Sequence, residues 1–458
     1  MSAPATGDLT TAPIGVLVRR LAIPASVGFF FNTMYNVVDT IYAGRFSTDA
    51  LAALSLSFPV FFVLIAMASG FSTGATALIG QALGAGDRRE AALISAQGVI
   101  MGSLLTVMVM TTGYLAAPGM FRLLGASDAY LEICLEYINV ILLGAPVVLT
   151  FYMFNGILNA QGDTRSFRDY LLVATVVNIG LDPWFMYGGL GVPAMGVGGI
   201  ALATVLAQTG GVFFLGWRAR RTGLLYRSAG ARWRPHWPTL RAIAGQGVPA
   251  SLNMMTVALG IFIITYFLSG FGQHVVAAYG VATRIEQMVL LPAIGLNTAV
   301  LTLAAQNAGA GRFDRVRSTV RTALSYGALV MVLGTAFIFL GARFLLGLFT
   351  DDAAVIEVGV PYLRIAAFIQ FAYVALFINT SALQGLKRPA FALWIGLARQ
   401  IVAPAAVFYL ATRILDTGLM GIWWGIFAIT WLAALAAILF AQAEVRRLAK
   451  HSPSSPRG

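Results

Sequence analysis

The sequence predicts an all-α membrane protein: twelve transmembrane helices in two six-helix lobes related by a pseudo-two-fold axis along the membrane normal. Three observations carry this expectation. Of 458 residues, 59% are hydrophobic and only 10% charged, with a mean hydropathy of +0.81, whereas an ordinary soluble domain carries about 25% charge. Apolar runs long enough to cross a bilayer recur twelve times, and the second half of the chain repeats motifs of the first.

A helix rises 1.5 Å per residue, so about 20 apolar residues span the hydrocarbon layer. Runs of adequate length fall near 18–44, 50–80, 92–117, 129–160, 167–188 and 196–217, then near 241–270, 275–308, 318–340, 353–384, 389–412 and 418–443. Several exceed 25 residues, so tilt or protrusion is expected. Residues 1–15 have no charged segment ahead of a short apolar core, and the first span is expected to be retained rather than cleaved as a signal peptide.

Charge sets the orientation. Sorting the 30 Lys and Arg by connection places 22 at the N-terminus, the even-numbered connections and the C-terminal tail, against 4 (Arg45, Arg122, Arg343 and Arg413) in the odd ones, with Arg284, Arg321, Arg364 and Arg399 within or at the ends of spans. The positive-inside rule then puts both termini in the cytoplasm. The net charge of +12 is scattered between apolar stretches, unlike the single basic face of a nucleic-acid binder, so no nucleic-acid partner is expected. The lipid bilayer and small organic molecules are the expected partners of a monomer.

The repeat has a register. At an offset of 225, Pro24-Ala25-Ser26 recurs as Pro249-Ala250-Ser251, Gln81 as Gln306, Gly84-Ala85-Gly86 as Gly309-Ala310-Gly311, and Tyr137 as Tyr362; at 223, Gln161-Gly162 and Arg165 recur as Gln384-Gly385 and Arg388. Six spans return the chain to its starting side, so the halves share one orientation and enclose a cavity between and within them. The expected division is an N-lobe over 1–217, a basic cytoplasmic linker over 218–240, a C-lobe over 241–446 and a tail over 447–458.

Other chemistry is excluded. One cysteine, Cys134, and three isolated histidines, His236, His274 and His451, form neither a disulfide framework nor a metal cluster. The loop Gly84-Ala85-Gly86-Asp87-Arg88-Arg89 lacks the Gly-Lys-Ser/Thr core of a phosphate cradle and is expected to be a tight turn. No enzymatic activity and no cofactor are expected.

Ionisable groups at membrane depth are functional candidates, because an aspartate at a helix centre costs about 2.5–3.5 kcal/mol on insertion scales. Most of the 18 acids lie in loops or near span ends; Asp39, Asp182 and Glu286 are the clearest exceptions. Asp39 stands six residues before Arg45, and Asp182 six before Gly188, which places both at a common depth in outward-running spans 1 and 5. Counting along spans 4 and 6 brings Tyr137 and Thr204 to a similar layer. Asn178 and Asp182, four residues apart, share a helical face, as do Tyr35 and Asp39; Pro183 lacks an amide proton and can kink span 5. Two carboxyls with amide, phenol and hydroxyl neighbours can trade a proton, since loss of water and a like-charged neighbour both favour the neutral form. The same oxygens, from Asp39, Asn178, Asp182 and Thr204, can hold Na⁺. The coupling ion is therefore H⁺ or Na⁺.

A polar network that only braces helices is the competing explanation. At the repeat offsets, Asp39 maps onto Ile264, and Asn178 and Asp182 map onto Ile401 and Ala405, so the acidic pair exists in one half only, which bracing does not require. Glu286 follows Arg284 closely; an ion pair between them and a coupling role are both open, which makes Glu286 a secondary candidate. Arg364 and Arg399 are expected to snorkel toward water.

The motifs Tyr35-Asn36-Val37-Val38-Asp39-Thr40, Gln81 to Gly86, Gly162-Asp163-Thr164-Arg165, Asn178-Ile179-Gly180-Leu181-Asp182-Pro183, Gly198 to Thr204 and Gln306 to Gly311 resemble the multidrug and toxic compound extrusion (MATE) family, especially its prokaryotic DinF-like branch, over about residues 12 to 445. The resemblance implies a V-shaped cavity and alternating access coupled to H⁺ or Na⁺. It implies a coupling role for Asp39, with Asn178, Asp182 and Thr204 as cation-site partners, and places Tyr35, Tyr137 and Asn155 around the cavity. Pro24 matches a proline at which the first helix bends. Residues 242–270 contain no Asp or Glu, unlike branches with an acid on span 7. The expected function is cation-coupled antiport of amphipathic, often cationic drugs and toxic compounds; a flippase for lipid-linked precursors or polysaccharides, or a non-transporting membrane scaffold, are the alternatives.

Overall fold

A computed structural model describes residues 8–123, 125–126 and 128–451; the last part of the expected tail, 452–458, lies outside the described residues. Among the described residues there is no strand, only one isolated bridge between Gly189 and Val192. The helices are α1 Ile14–Phe46, α2 Thr48–Gly84, α3 Arg88–Leu123, α4 as Asp128–Leu143 plus Ala145–Ala160, α5 Arg165–Tyr187, α6 Gly196–Arg221, α7 Trp237–Ser269, α8 Gln273–Gly309, α9 Phe313–Gly347, α10 Ala353–Gly385, α11 running from Pro389 to Ile414, and α12 Gly418–His451. Among the described residues eleven are individually long and apolar enough to cross a membrane, and the two segments of α4, bent by 46° at Gly144, bring the number to twelve when taken together as one span. Span lengths of 33 to 37 residues in α1, α2, α3 and α7 to α10 exceed the bilayer core, so these helices protrude or tilt.

The turns follow local chemistry. After α2, Gly86 takes φ 79°, and the Asp87 amide donates to Ala82 O at 2.9 Å, which ends the helix in a left-handed cap that glycine adopts without steric cost. The Asp87 carboxylate then accepts from the Glu90 amide and starts α3. The linker 218–240 is a folded connection: buried Gln97 of α3 donates to Arg232 O at 2.7 Å and Arg234 O at 2.9 Å, and accepts from the His236 amide at 2.8 Å.

The chain forms two compact units. Unit one is Val27–Ser251, with a core built mainly from α2, α3, α4 and α6. Unit two comprises the described residues through Ser26 together with Leu252 onward, with cores built mainly on α8, α9, α10 and α12. Compared with lobes divided at 217 and 241, the units exchange the N-terminal parts of α1 and α7. The physical reason is a pair of close seams at equivalent repeat positions. In unit one, Ser251 Oγ donates to Met67 O at 3.4 Å, and Gly70 lies so close that a Cβ there would sit 2.6 Å from Ser251 Cα. In unit two, Ser26 Oγ donates to Pro292 O at 3.1 Å, and a Cβ on Gly295 would sit 2.6 Å from Ser26 N. All three pairs, Ser26 and Ser251, Met67 and Pro292, Gly70 and Gly295, are 225 apart. Only glycine permits backbones this near.

Candidate cation site and cavity

The site begins where α1 lies against α5. Thr175 Oγ1 donates to Phe31 O at 3.3 Å and Tyr42 Oη donates to Ile179 O at 3.0 Å. The second tie follows from the sequence: Pro183 has no amide proton, so the carbonyl four residues earlier, that of Ile179, loses its helical donor and takes the Tyr42 hydroxyl instead. Asp39, three residues before Tyr42, thereby comes beside Asp182, three after Ile179. Asn178 Nδ2, one turn back on α5, donates to Asp182 Oδ1 at 2.8 Å.

The α5–α6 turn supplies Thr204. Gly188 caps α5 with φ 79°, the Met195 amide donates to Phe185 O at 3.0 Å, and a Cβ on Gly199 would lie 2.6 Å from the Phe185 carbonyl carbon. This close pairing holds the start of α6 against α5. Thr204 Oγ1 then donates to Asp39 Oδ2 at 3.2 Å.

Asp39, Asn178, Asp182 and Thr204 are all buried, Asn178 and Asp182 completely. Asp39 Oδ1, Asp182 Oδ2 and Asn178 Oδ1 have no donor, and Asp182 and Asn178 stand next to Asp39. An unsatisfied buried polar atom costs about 1–3 kcal/mol, so three acceptors without a donor form a place for a positive charge. Two carboxyls, an amide oxygen and a hydroxyl suit a proton or a hard cation such as Na⁺; no group of three or more His, Cys, Asp or Glu suited to a metal ion occurs among the described residues.

Asp39 and Thr204 open onto a cavity of about 250 Å³ inside unit one, whose walls include Tyr35, Tyr137, Phe58, Phe61, Phe62 and Phe151 and contain no Lys, Arg or His. Asp182 and Asn178 do not line it. Tyr35 and Tyr137 line this cavity. Asn155 is buried on α4 with Oδ1 unpartnered, yet it is outside the cavity wall and bonds to neither carboxyl. Pro24 lies inside α1, which continues through it; it precedes Asp39 by about 22 Å of helix and belongs with unit two. Gln208, on the cavity wall with Oε1 unpartnered, was not singled out from the sequence. Its signal is its spacing, one turn after Thr204 on the same face.

In unit two, Glu286 is buried and makes no ion pair with exposed Arg284; Tyr362 Oη donates to its Oε1 at 2.8 Å and Gln370 Nε2 to its Oε2 at 3.2 Å. Arg399 does not snorkel. It is buried, with its guanidinium 5.3 Å from the Tyr373 ring centroid, on a π-helical turn of α11, Ala398–Val402. Exposed Arg364 lies over Phe339.

Known proteins share this architecture. The chain is 28% identical over 334 residues to the probable multidrug resistance protein YoeA of Bacillus subtilis (strain 168), covering 72% of each chain. It is 27% identical over 397 residues to an FAD transporter of Shewanella oneidensis, covering 86% of this chain and 87% of that one. A crystal structure of MATE in the bent conformation superposes with a TM-score of 0.90 at 25% identity, covering 98% of this chain and 100% of that chain. The MatE family pattern matches residues 24–184 and 249–410, one block in each repeat. With both repeats matched and the fold shared, the chain belongs to the MatE family, a family of multidrug efflux transporters.

Proposed function

We propose that the protein is an antiporter that exports amphipathic, often cationic drugs and toxic organic compounds by alternating access, driven by H⁺ or Na⁺ entering at Asp39 and Asp182. The observation that carries this reading is the set of donorless oxygens on Asp39, Asn178 and Asp182 beside an aromatic cavity without a cation in its walls. Aromatic faces and a carboxylate attract an organic cation, and a positive ion arriving at Asp39 competes with it. The name of YoeA, a probable multidrug resistance protein, agrees with export. FAD carries phosphates, for which a wall with no Lys, Arg or His is poorly suited, and the same holds for a lipid-linked phosphate precursor. In this reading the protein acts as a monomer in the prokaryotic cytoplasmic membrane with both termini inside.

A cation shifts a conformational equilibrium only by its differential affinity for the two states. Moving it from 1:99 to 99:1 takes a factor of about 10⁴, or about 5.5 kcal/mol. Satisfying two or three orphaned acceptors at about 1–3 kcal/mol each is of that order. Vesicles loaded with a fluorescent organic cation and given a proton or a sodium gradient in turn test the proposal. Efflux under at least one gradient and none without is the expected result. Gradient-independent retention of the cation favours a flippase or scaffold.

A further inference from the structure

We infer that Glu286 is a second proton-binding carboxyl, housed in unit two and built from different helices than the pair in unit one. The placement is the first argument. At the repeat offset of 225, Glu286 stands at the position of Phe61 and Tyr362 at that of Tyr137, and both Phe61 and Tyr137 are walls of the unit-one cavity. Unit two therefore carries its acid in the region where unit one carries its cavity, although Asp39 itself is replaced there by Ile264.

Hydrogen bonding is the second argument. With its carboxylate ionised, Glu286 accepts from the Tyr362 hydroxyl and the Gln370 amide, while the fully buried Gln370 Oε1 has no donor. A proton arriving from water on Glu286 Oε2 makes that oxygen a donor. Rotation of the Gln370 amide then presents Oε1 to it, and Tyr362 keeps its bond to Oε1 of Glu286. The ionised state keeps Gln370 Nε2 bonded to Glu286 Oε2 and Ala366 O with Oε1 unpaired, and the protonated state exchanges the two ends of the amide, so the Glu286 carboxyl keeps a partner on each oxygen in either state.

The charged surroundings leave the group without a fixed counter-ion. Tyr279 from the same helix and Tyr362 and Tyr373 from α10 stand around it, and Arg399 from α11 acts on Tyr279 and Tyr373. Arg399 is turned onto the Tyr373 ring and makes no ion pair with Glu286 among the described residues. Trp423 of α12 packs on Tyr362, with ring centroids 4.4 Å apart, and residues 242–270 of α7 offer no acid, lysine or arginine.

The chemistry of this site stands apart from the antiport reading, whereas its role in export rests on that reading. Infrared difference spectra between acid and alkaline pH, on protein with isotope-labelled glutamate in an Asp39→Asn/Asp182→Asn background, isolate it. A buried glutamate carboxyl band is expected to appear on acidification, to vanish with Glu286→Gln and to shift with Gln370→Leu. A spectrum unchanged by both substitutions overturns the inference. Should Glu286→Gln fail to fold, Glu286→Asp removes the band from the labelled glutamates and decides the same question. In vesicles with both aspartates intact, Glu286→Gln is expected to carry about one proton fewer per substrate; an unaltered ratio overturns the role in export. A titrating Glu286 band in a protein with no gradient-driven efflux would sink the antiport reading alone.

Discussion

Thr204→Val removes one hydroxyl and keeps the side-chain shape, and its effect separates the two candidate ions by sign. Thr204 Oγ1 donates to Asp39 Oδ2 at 3.2 Å inside a buried cluster. A hydrogen bond to a charged group contributes about 1.5–3 kcal/mol, and the length of this one argues for the lower end, about tenfold in affinity. If the ion is H⁺, the bond stabilises the ionised, empty site; losing it makes the proton bind about tenfold more tightly. If the ion is Na⁺, the hydroxyl oxygen is a ligand; losing it makes Na⁺ bind more weakly by a similar factor. The assay is displacement of a bound fluorescent substrate from purified protein, titrated with acid and separately with sodium. The proton curve moving to higher pH, or the sodium curve moving to higher concentration, supports the site. Two curves superimposable on the wild type refute the reasoning that Thr204 contacts the bound ion.

Three further outcomes follow from the packing. Gly70→Ala puts a Cβ 2.6 Å from Ser251 Cα and should cost about 1–3 kcal/mol in thermal unfolding, whereas Gly119→Ala, with nothing within 4 Å, should leave stability equal or slightly higher; equal Tm values for the two would contradict the seam. Gln97→Ala removes three bonds to the linker at about 1 kcal/mol each, so tryptic cleavage after Arg232 should accelerate by roughly 10- to 100-fold. Arg388→Gln leaves buried Glu444 with only Arg447 at 3.3 Å and should lower stability by about 1 kcal/mol, allowing for the exposure of Arg388; adding Glu444→Gln should restore it.

The positions of the spans were legible because a bilayer demands long apolar runs whatever their neighbours. The meeting of Asp39 with Asp182 and Thr204 was legible too, because 1.5 Å per residue converts sequence distance from a loop into depth. What depth counting lacks is azimuth. Asn155, placed around the cavity by the family resemblance alone, does not line it, and depth counting passed over Gln208, which the Thr204 spacing could have supplied. The bend at Gly144 was hidden inside one continuous apolar run from 129 to 160, since periodicity does not register a broken hydrogen-bond ladder; Gly144-Ala145-Pro146 was the local sign. The exchange of the first parts of α1 and α7 was invisible for a different reason: it depends on which helix accepts Ser26 or Ser251, and only the equivalence of Gly70 and Gly295 points to it. Arg399 was expected at water because a long cationic side chain usually snorkels, and its packing against Tyr373 is a tertiary contact that spacing along α11 does not encode.

Asp39→Asn offers the most direct measurement, because it deletes one carboxylate charge while keeping the shape and the Thr204 contact available. Purified variant in proteoliposomes is compared for substrate binding and for efflux driven by the ion gradient that powers the wild type. Substrate should still bind, and gradient-driven efflux should fall to the level of empty liposomes. Efflux at the wild-type rate with the same ion dependence would show that the cation acts elsewhere in the protein.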